Sequence, residues 1–196
     1  MSGSIKVAGH ELVRHDIATD KLVYGSGVPA GTVIQVKSHF FDTPLSNNSA
    51  NYSKFLTITI TPKFNTSKFF INAQINAGMN PSAFIYILLQ RNTTDINVGT
   101  SSATYGGTNN QRPRVSAMAY EYNPNGVNYT QAVIPLSYLD SPSTSEASSS
   151  IEYSVSFRTP ASSNNYVHIN RTDRFLDSSI ADPLTASHLT VFEIAQ

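Results

Sequence analysis

The stretch from Phe55 to Asn76 carries the clearest pattern of hydrophobic and polar residues in the chain. Isoleucine and leucine alternate with threonine over 56–61, and apolar residues recur at every second position over 69–75. Because successive side chains on a strand point to opposite faces, each run has one apolar face and one mainly polar face. The pattern predicts two half-buried strands, which we expect to form an antiparallel pair across the polar break at 63–68.

Similar strand patterns recur before and after this stretch. A strand over 32–41 places Ile34, Val36 and Phe40 on one side, and the turn Asn123-Pro124-Asn125-Gly126 predicts a second hairpin between 114–122 and 127–136. Further strands are predicted at 83–91, 151–158, 166–170 and 189–195. About eight to ten short strands without a long helical period predict an all-β antiparallel sandwich or jelly roll.

Residues 83–91 are apolar on both faces of the predicted strand. Such a run is typical of a central strand buried on both sides, or of a strand whose outer face meets another subunit. Both interpretations keep Phe84, Tyr86 and Leu88 away from water, and these three residues are the candidates for a subunit interface.

Residues 1–28 differ from the rest because short apolar pairs alternate with charges without a sustained period. They end in the glycine-rich stretch 25–31, which predicts a flexible hinge followed by a turn. We interpret 1–28 as an extended arm that docks on another protein, with 29–196 as the sandwich domain; the alternative is a frayed terminus. The docking candidates are Ile5, Val7, Leu12, Val13, Leu22 and Val23.

Composition limits the classes of function. The 196 residues include no cysteine, which gives no sign of disulfides or a thiolate metal site. Thirteen acidic and thirteen basic residues are scattered along the chain, so no basic field for nucleic acid is expected. No secretory signal or run of membrane-spanning length appears, and membrane insertion is not expected.

No group of residues predicts catalysis. His15 and Asp16 are sequence neighbours, which does not aim the carboxylate at the imidazole, and the chain has no Gly-x-Ser-x-Gly motif. Three histidines on or near strands and three aspartates in the last loop have no spacing that requires a metal. We therefore expect no enzyme activity and no cofactor, metal or catalytic residue. The residues considered for metal binding are His39, His168, His188, Asp173, Asp177 and Asp182.

Tyrosine and arginine are concentrated in the middle of the chain. Both residue types are enriched where proteins contact partners, because each joins a large contact area to a polar group. The alternative is ordinary packing at the rim of the sandwich. The candidates for contacts from exposed loops are Tyr105, Arg112, Arg114, Tyr120, Tyr122 and Tyr129.

A series of short motifs occurs in a fixed order along the chain: Gly31–Val36, Ile58–Pro62, Thr66–Ile71, Leu89–Arg91, Asp140–Pro142, Tyr153–Val155, Val167–Asn170 and Leu189–Ile194. This order resembles a family of small virion proteins of tailed bacteriophages, particularly those of aquatic bacteria and cyanobacteria, often labelled tail-fibre or hypothetical proteins. The likeness covers 29–196, and it implies a jelly roll related in shape to the C1q and tumour-necrosis-factor type that assembles as a homotrimer. It implies no catalytic residue.

Two virion functions and one enzymatic alternative follow. A trimeric capsid decoration or cement protein would sit on the head, with the arm docked on the major capsid protein. A short tail fibre or receptor-binding tip would dock on a tail protein and present its loops to a host surface glycan or protein. A polysaccharide-degrading virion enzyme would need paired carboxylates, which the sequence does not single out. Each alternative places the protein on the virion surface after synthesis in the host cytoplasm.

Overall fold

The computed structural model describes residues 3–25, 27–80, 83–100, 113–120, 131–160, 165–174 and 180–196. The alternating segments form strands, and no described helix is long and apolar enough to cross a membrane. The strands are β1 (Ser4–Val7), β2 (His10–Asp16), β3 (Lys21–Tyr24), β4 (Val33–Phe41), β5 (Leu45–Asn47), β6 (Ser53–Ile60), β7 (Lys68–Met79), β8 (Phe84–Arg91), β9 (Thr94–Ile96), β10 (Ala117–Tyr120), β11 (Gln131–Asp140), β12 (Ile151–Arg158), β13 (Val167–Ile169) and β14 (Ser187–Ile194); a short 3-10 helix spans Glu146–Ser148.

Two antiparallel sheets form a sandwich, which confirms the predicted fold class. In the front sheet, β11 pairs with one edge of β7, and β14 and β13 pair with successive parts of its other edge. Strands β4 and β5 continue the front sheet outward from β14 and β13. The back sheet has the order β10-β8-β12-β6, with β9 also paired to β8. All described pairings in both sheets are antiparallel.

The core consists of the apolar faces that the alternation predicts. From the front sheet, the odd-numbered residues of β7 from Phe69 to Met79 point inward and are at most 2% exposed. From the back sheet, Ile85, Ile87 and Leu89 meet them together with the apolar face of β12. A bulge in β6 inserts Phe55 between the paired residues Lys54 and Leu56, which explains why neighbouring Phe55 and Leu56 are both buried.

Both predicted hairpins are wrong. Strands β6 and β7 belong to different sheets and face each other across the core, and β10 and β11 pair with β8 and β7 respectively. The loop joining β6 to β7 is held by the buried carboxylate of Glu193 on β14. That carboxylate accepts hydrogen bonds from the amides of Lys63 and Phe64 at 2.6 and 3.2 Å and from the Ser67 hydroxyl at 2.7 Å.

A side-chain clasp closes one side of the sandwich between β4 and the open edge of β6. Gln35 and Lys37 donate to the carbonyls of Thr61 and Thr59 at 2.8 and 2.7 Å. Nδ1 of His39 lies 3.0 Å from the carbonyl of Thr57. Because these three residues alternate along β4, they all point toward the back sheet, and the opposite side of β4, with Val36 and Phe40, faces outward. We call Gln35, Lys37 and His39 the clasp.

A buried polar network joins the sheets at another corner. Asp140 on β11 is 2% exposed and accepts hydrogen bonds from Nη1 of Arg91 on β8 at 2.6 Å and from the Tyr153 hydroxyl on β12 at 2.7 Å. Arg91 also reaches Glu146 at 3.0 Å. Burial raises the pKa of Tyr153 far above its ordinary value, and the nearby Asp140 raises it further, so the phenol stays a neutral donor.

The segment expected to be an extended arm contains a three-stranded antiparallel sheet, β1-β2-β3. Ala8 and Gly9 join β1 to β2 with positive φ angles of 49° and 83°, the combination that a two-residue hairpin turn requires. At the end of this segment, where a flexible hinge is predicted, the backbone of Gly25 packs closely against β2. A Cβ on Gly25 would lie 2.2 Å from the Glu11 carbonyl. The following turn is confirmed by Gly31, whose φ is 86°.

Candidate interaction surface

The outward face of the front sheet carries an apolar row that crosses four strands. The pairing registers place Val36 of β4, Phe192 of β14, Phe70 of β7 and Leu139 of β11 side by side. Val36 and Leu139 are 51% and 49% exposed, and the two phenylalanine rings contact each other with centroids 6.0 Å apart. We call these four residues the apolar row.

Further apolar residues extend this face on both sides of the row. A band of short polar side chains separates the apolar row from Phe40, which is 67% exposed. Val33 and Val133 are also exposed at opposite ends of the sheet. The polar band consists of Ser38, Thr190, Asn72 and Ser137. We call the whole outward surface of β4, β14, β7 and β11 the front face.

The front face has little charge. Among the described residues whose pairing places them on it, the titratable side chains are Lys68 and His188. Covering a half-exposed valine or leucine contributes about 1 kcal/mol, so a partner that covers this face gains several such contributions. An apolar row on the outer surface of a folded chain is a candidate surface for binding a partner.

The predicted interface residues Phe84, Tyr86 and Leu88 lie on the opposite side of the molecule, on the outward face of β8. Leu88 is only 4% exposed within the single chain. The Phe84 ring stacks on Tyr120 with centroids 4.3 Å apart, and the guanidinium of Arg158 lies 5.1 Å from the centre of the Tyr86 ring. Contacts within the chain therefore cover much of this face, and a Leu88→Asp variant would test folding before assembly. The interface role of these residues stays a prediction.

Of the six loop candidates, the structure describes two. Arg114 donates from Nε to the carbonyl of Gly99 at 2.7 Å, and Tyr120 is 43% exposed beside Phe84. The other four lie outside the described residues; they are Tyr105, Arg112, Tyr122 and Tyr129.

The docking candidates in the first 28 residues include part of a second apolar row. The pairing places Ile5, Val13 and Tyr24 side by side across the small sheet, and Ile5 and Tyr24 are 63% and 41% exposed. Val7 is also exposed, whereas Leu12 and Val23 are half-buried. Leu22 lies in β3, opposite His15. This row presents an apolar surface, and the docking role stays a prediction.

The three histidines considered for metal binding do not converge. His39 belongs to the clasp, His188 lies on the front face opposite Phe40, and His168 bonds to Ser46 and Asp173. Within the described ranges, no cluster of three or more histidine, aspartate or glutamate side chains could hold a metal ion. Of the aspartates considered for calcium, Asp182 bonds to Thr172 and Arg174, and Asp177 lies outside the described residues.

Sequence reasoning missed the front face. Its signal is the pair of phenylalanines at positions where the alternation calls for polar residues, Phe70 in β7 and Phe192 in β14. Each follows a buried residue and faces outward, so each breaks the polar side of its strand. Only the strand register shows that Val36 and Leu139 belong to the same apolar row.

The fold and this surface define the class of protein: an antiparallel β-sandwich with an open apolar sheet face. No protein-family model and no curated protein sequence match the chain. Among solved structures, that of the infectious bursal disease virus Gx strain is similar with 11% identity and a TM-score of 0.38, over 100% of this chain and 42% of that chain. The structure of the Gt strain gives 9% identity and a TM-score of 0.38, over 98% and 47%.

A third similar structure is the VP2 subviral particle of infectious bursal disease virus, with 12% identity and a TM-score of 0.30, over 84% of this chain and 38% of that chain. The chain therefore spans less than half the length of these viral proteins. Likenesses at these TM-scores do not transfer a function.

Proposed function

We propose that this protein is a structural protein of the virion surface that assembles as a homotrimer through its front face, and that it acts as a capsid decoration or cement protein. The observation that carries the proposal is the apolar row, because a chain with a complete core still leaves Val36 and Leu139 about half exposed, beside two partly buried phenylalanines on the strands between them. The motif order that resembles phage virion proteins supports the virion location and the trimer.

A second copy of the same chain is the partner that best fits the front face. The chain has a formal net charge of zero, and the described face carries little charge, so copies meet without strong mutual repulsion. Closed symmetric assemblies bury such a patch on every copy. The sandwich fold adds rigidity, which suits a protein that reinforces a shell.

The proposed interface is tested by two matched variants. Leu139 on the front face and Met118 on the outward face of the back sheet are 49% and 50% exposed, so glutamate at either site leaves the fold intact. We expect Leu139→Glu to convert the trimer to monomers, because assembly would bury an unpaired charge. We expect Met118→Glu to remain trimeric.

Light scattering coupled to size-exclusion chromatography measures the result. The expected mass of the wild type is three times the 21.3 kDa chain. A monomeric Met118→Glu beside a trimeric Leu139→Glu would place the interface near Phe84 and Tyr86 and reject the front face. A wild-type mass of one or two chains would reject the trimer.

The small sheet β1-β2-β3 is proposed to dock the trimer on another virion protein. Glutamate at both Ile5 and Val13 adds charge to this row, and Lys6→Gln is the control on the same strand. We expect the double variant to stay trimeric and lose incorporation into virions, measured by quantitative gel densitometry of purified particles. Normal incorporation of the double variant would reject this docking surface.

Position and copy number in purified virions test the cement role. Density at many threefold or quasi-threefold points of the shell in electron cryomicroscopy is the expected result. Density confined to the tail would reject the cement role in favour of a short tail fibre or receptor-binding tip.

A further inference from the structure

Ser46, His168 and Asp173 form a linear hydrogen-bonded array at one end of the front sheet. The Ser46 hydroxyl lies 2.8 Å from Nδ1 of His168, and Nε2 of the same ring lies 2.8 Å from Oδ1 of Asp173. A hydroxyl, an imidazole and a carboxylate in this order are the parts of an activated serine nucleophile. We propose that Ser46, His168 and Asp173 form a nucleophilic site that cleaves small carboxylic esters.

Strand register creates the contact between Ser46 and His168. The two residues are direct cross-strand partners on β5 and β13. The amide of Asn170 donates to the Asn76 carbonyl at 2.8 Å, and the amide of Asn80 to the Tyr166 carbonyl at 3.0 Å, so even-numbered residues of β13 direct their backbone groups to β7. Ser46 and His168 are therefore a non-hydrogen-bonded pair, the kind in which side chains approach most closely.

The surroundings keep the imidazole neutral and oriented. The side chains of His168 and Asp173 are 4% and 10% exposed, and the Tyr166 ring stacks on the imidazole at an interplanar angle of 5°. Burial lowers the pKa of His168; Asp173 opposes this shift and Arg171 adds to it. With Nε2–H donated to Asp173, Nδ1 presents its lone pair to the Ser46 hydroxyl and can accept its proton.

Ser46 is accessible, although its histidine is buried. The residue is exposed on β5, which is the edge strand of this part of the front sheet. Because its pairing with β13 is of the non-hydrogen-bonded kind, its own amide points toward the open edge. That N–H is placed to donate to the oxygen of a tetrahedral intermediate formed on the Ser46 hydroxyl. Because Ser46 is exposed at a sheet edge, small esters with good leaving groups can reach its hydroxyl.

The reaction balances without a cofactor. Ser46 Oγ bonds to the ester carbonyl carbon as its proton passes to Nδ1 of His168. The bond from that carbon to the alcohol oxygen then breaks, and the alcohol leaves with the proton. Water attacks the acyl-Ser46, gives a proton to His168, and releases the carboxylic acid as the proton returns to Oγ. Asp173 orients the ring and stabilises its charged form.

Covalent labelling with diisopropyl fluorophosphate tests the site. The probe forms a bond from serine oxygen to phosphorus with loss of fluoride, and peptide mass spectrometry locates the modified residue. We expect Ser46 to react on the order of 100-fold faster than Ser141, an exposed serine outside the front face without a histidine partner. The rate should rise with pH with a midpoint below 6.5, the ordinary pKa of histidine, because the neutral imidazole is the base.

Variants distinguish a nucleophilic site from a structural one, in which the two ring nitrogens of buried His168 only satisfy their hydrogen bonds. Ser46→Ala should abolish labelling at 46 and hydrolysis of p-nitrophenyl acetate, Asp173→Asn should reduce both about 100-fold, and Ser141→Ala should change neither. Circular dichroism and thermal melting confirm that each variant is folded. Labelling of Ser46 no faster than Ser141, or unchanged in folded Asp173→Asn, would show that the array is structural and overturn the proposal.

Discussion

Replacing Asp140 by alanine is expected to lower the free energy of unfolding by about 3–5 kcal/mol, because it removes the buried partner of a charged group. The side chain of Asp140 is 3% exposed and that of Arg91 is 12% exposed. Without the carboxylate, the guanidinium keeps only Glu146, and the Tyr153 hydroxyl loses its acceptor inside the core. Urea denaturation followed by tyrosine fluorescence measures the loss. The comparison is made in the Leu139→Glu background so that assembly does not add to stability.

Two controls separate the lost charge pair from the lost side-chain volume. Tyr153→Phe removes only one hydrogen bond to Asp140 and should cost about 1 kcal/mol. The double variant Arg91→Met with Asp140→Leu should recover most of the stability lost in Asp140→Ala, because no buried charge remains. A loss below about 1 kcal/mol for Asp140→Ala would contradict the buried network.

Phe69→Ala is expected to cost about 3–5 kcal/mol, because it empties a fully buried ring site between the sheets. The Phe69 side chain is 0% exposed and its ring centroid lies 5.7 Å from that of Tyr153. The surrounding strands belong to two sheets and cannot close the cavity without breaking their pairing. Urea denaturation of the monomeric background again measures the change.

The next residue along β7 provides a matched control for this prediction. Phe70 has the same side chain but belongs to the apolar row on the outward face. We expect Phe70→Ala to change monomer stability by about 1 kcal/mol and to weaken self-association measured by sedimentation. Equal losses of monomer stability at Phe69 and Phe70 would contradict the assignment of the two faces.

The sequence could predict which side of most strands enters the core. Alternation in β6, β7 and β12 places Ile58, Ile71 and Val155 inward, and all three are buried. Periodicity decides this because burial of apolar side chains is the dominant stabilising term. It also predicted correctly that Leu88 avoids water, whereas Phe84 and Tyr86 on the same face of β8 stay partly exposed in the single chain.

Pairing partners could not be predicted in the same way. The loop from β6 to β7 has the length and polarity of a hairpin loop, yet it crosses between sheets because Glu193, 126 residues beyond Ser67, holds its amides and a hydroxyl. The alternation in β4 also predicts the wrong inward side. Its polar residues point toward the back sheet and form the clasp, so the apolar residues Val36 and Phe40 face outward.

The nucleophilic array was equally hidden from the sequence. Ser46 and His168 are 122 residues apart, and neither lies in a motif with fixed spacing. Asp173 follows His168 by five residues, which by itself indicates nothing. The three meet because β5 and β13 pair in one particular register, and register depends on the packing of the whole sheet.

The clasp has a consequence for how copies of this protein can aggregate. An exposed strand edge is a template on which another chain adds a strand, and repeated addition produces fibrils. Along β6, Gln35 and Lys37 already occupy the carbonyls of Thr61 and Thr59 that such an incoming strand would need. Growth by strand addition is therefore blocked at this edge, and the folded chain is protected there from amyloid-like polymerisation even at high local concentration.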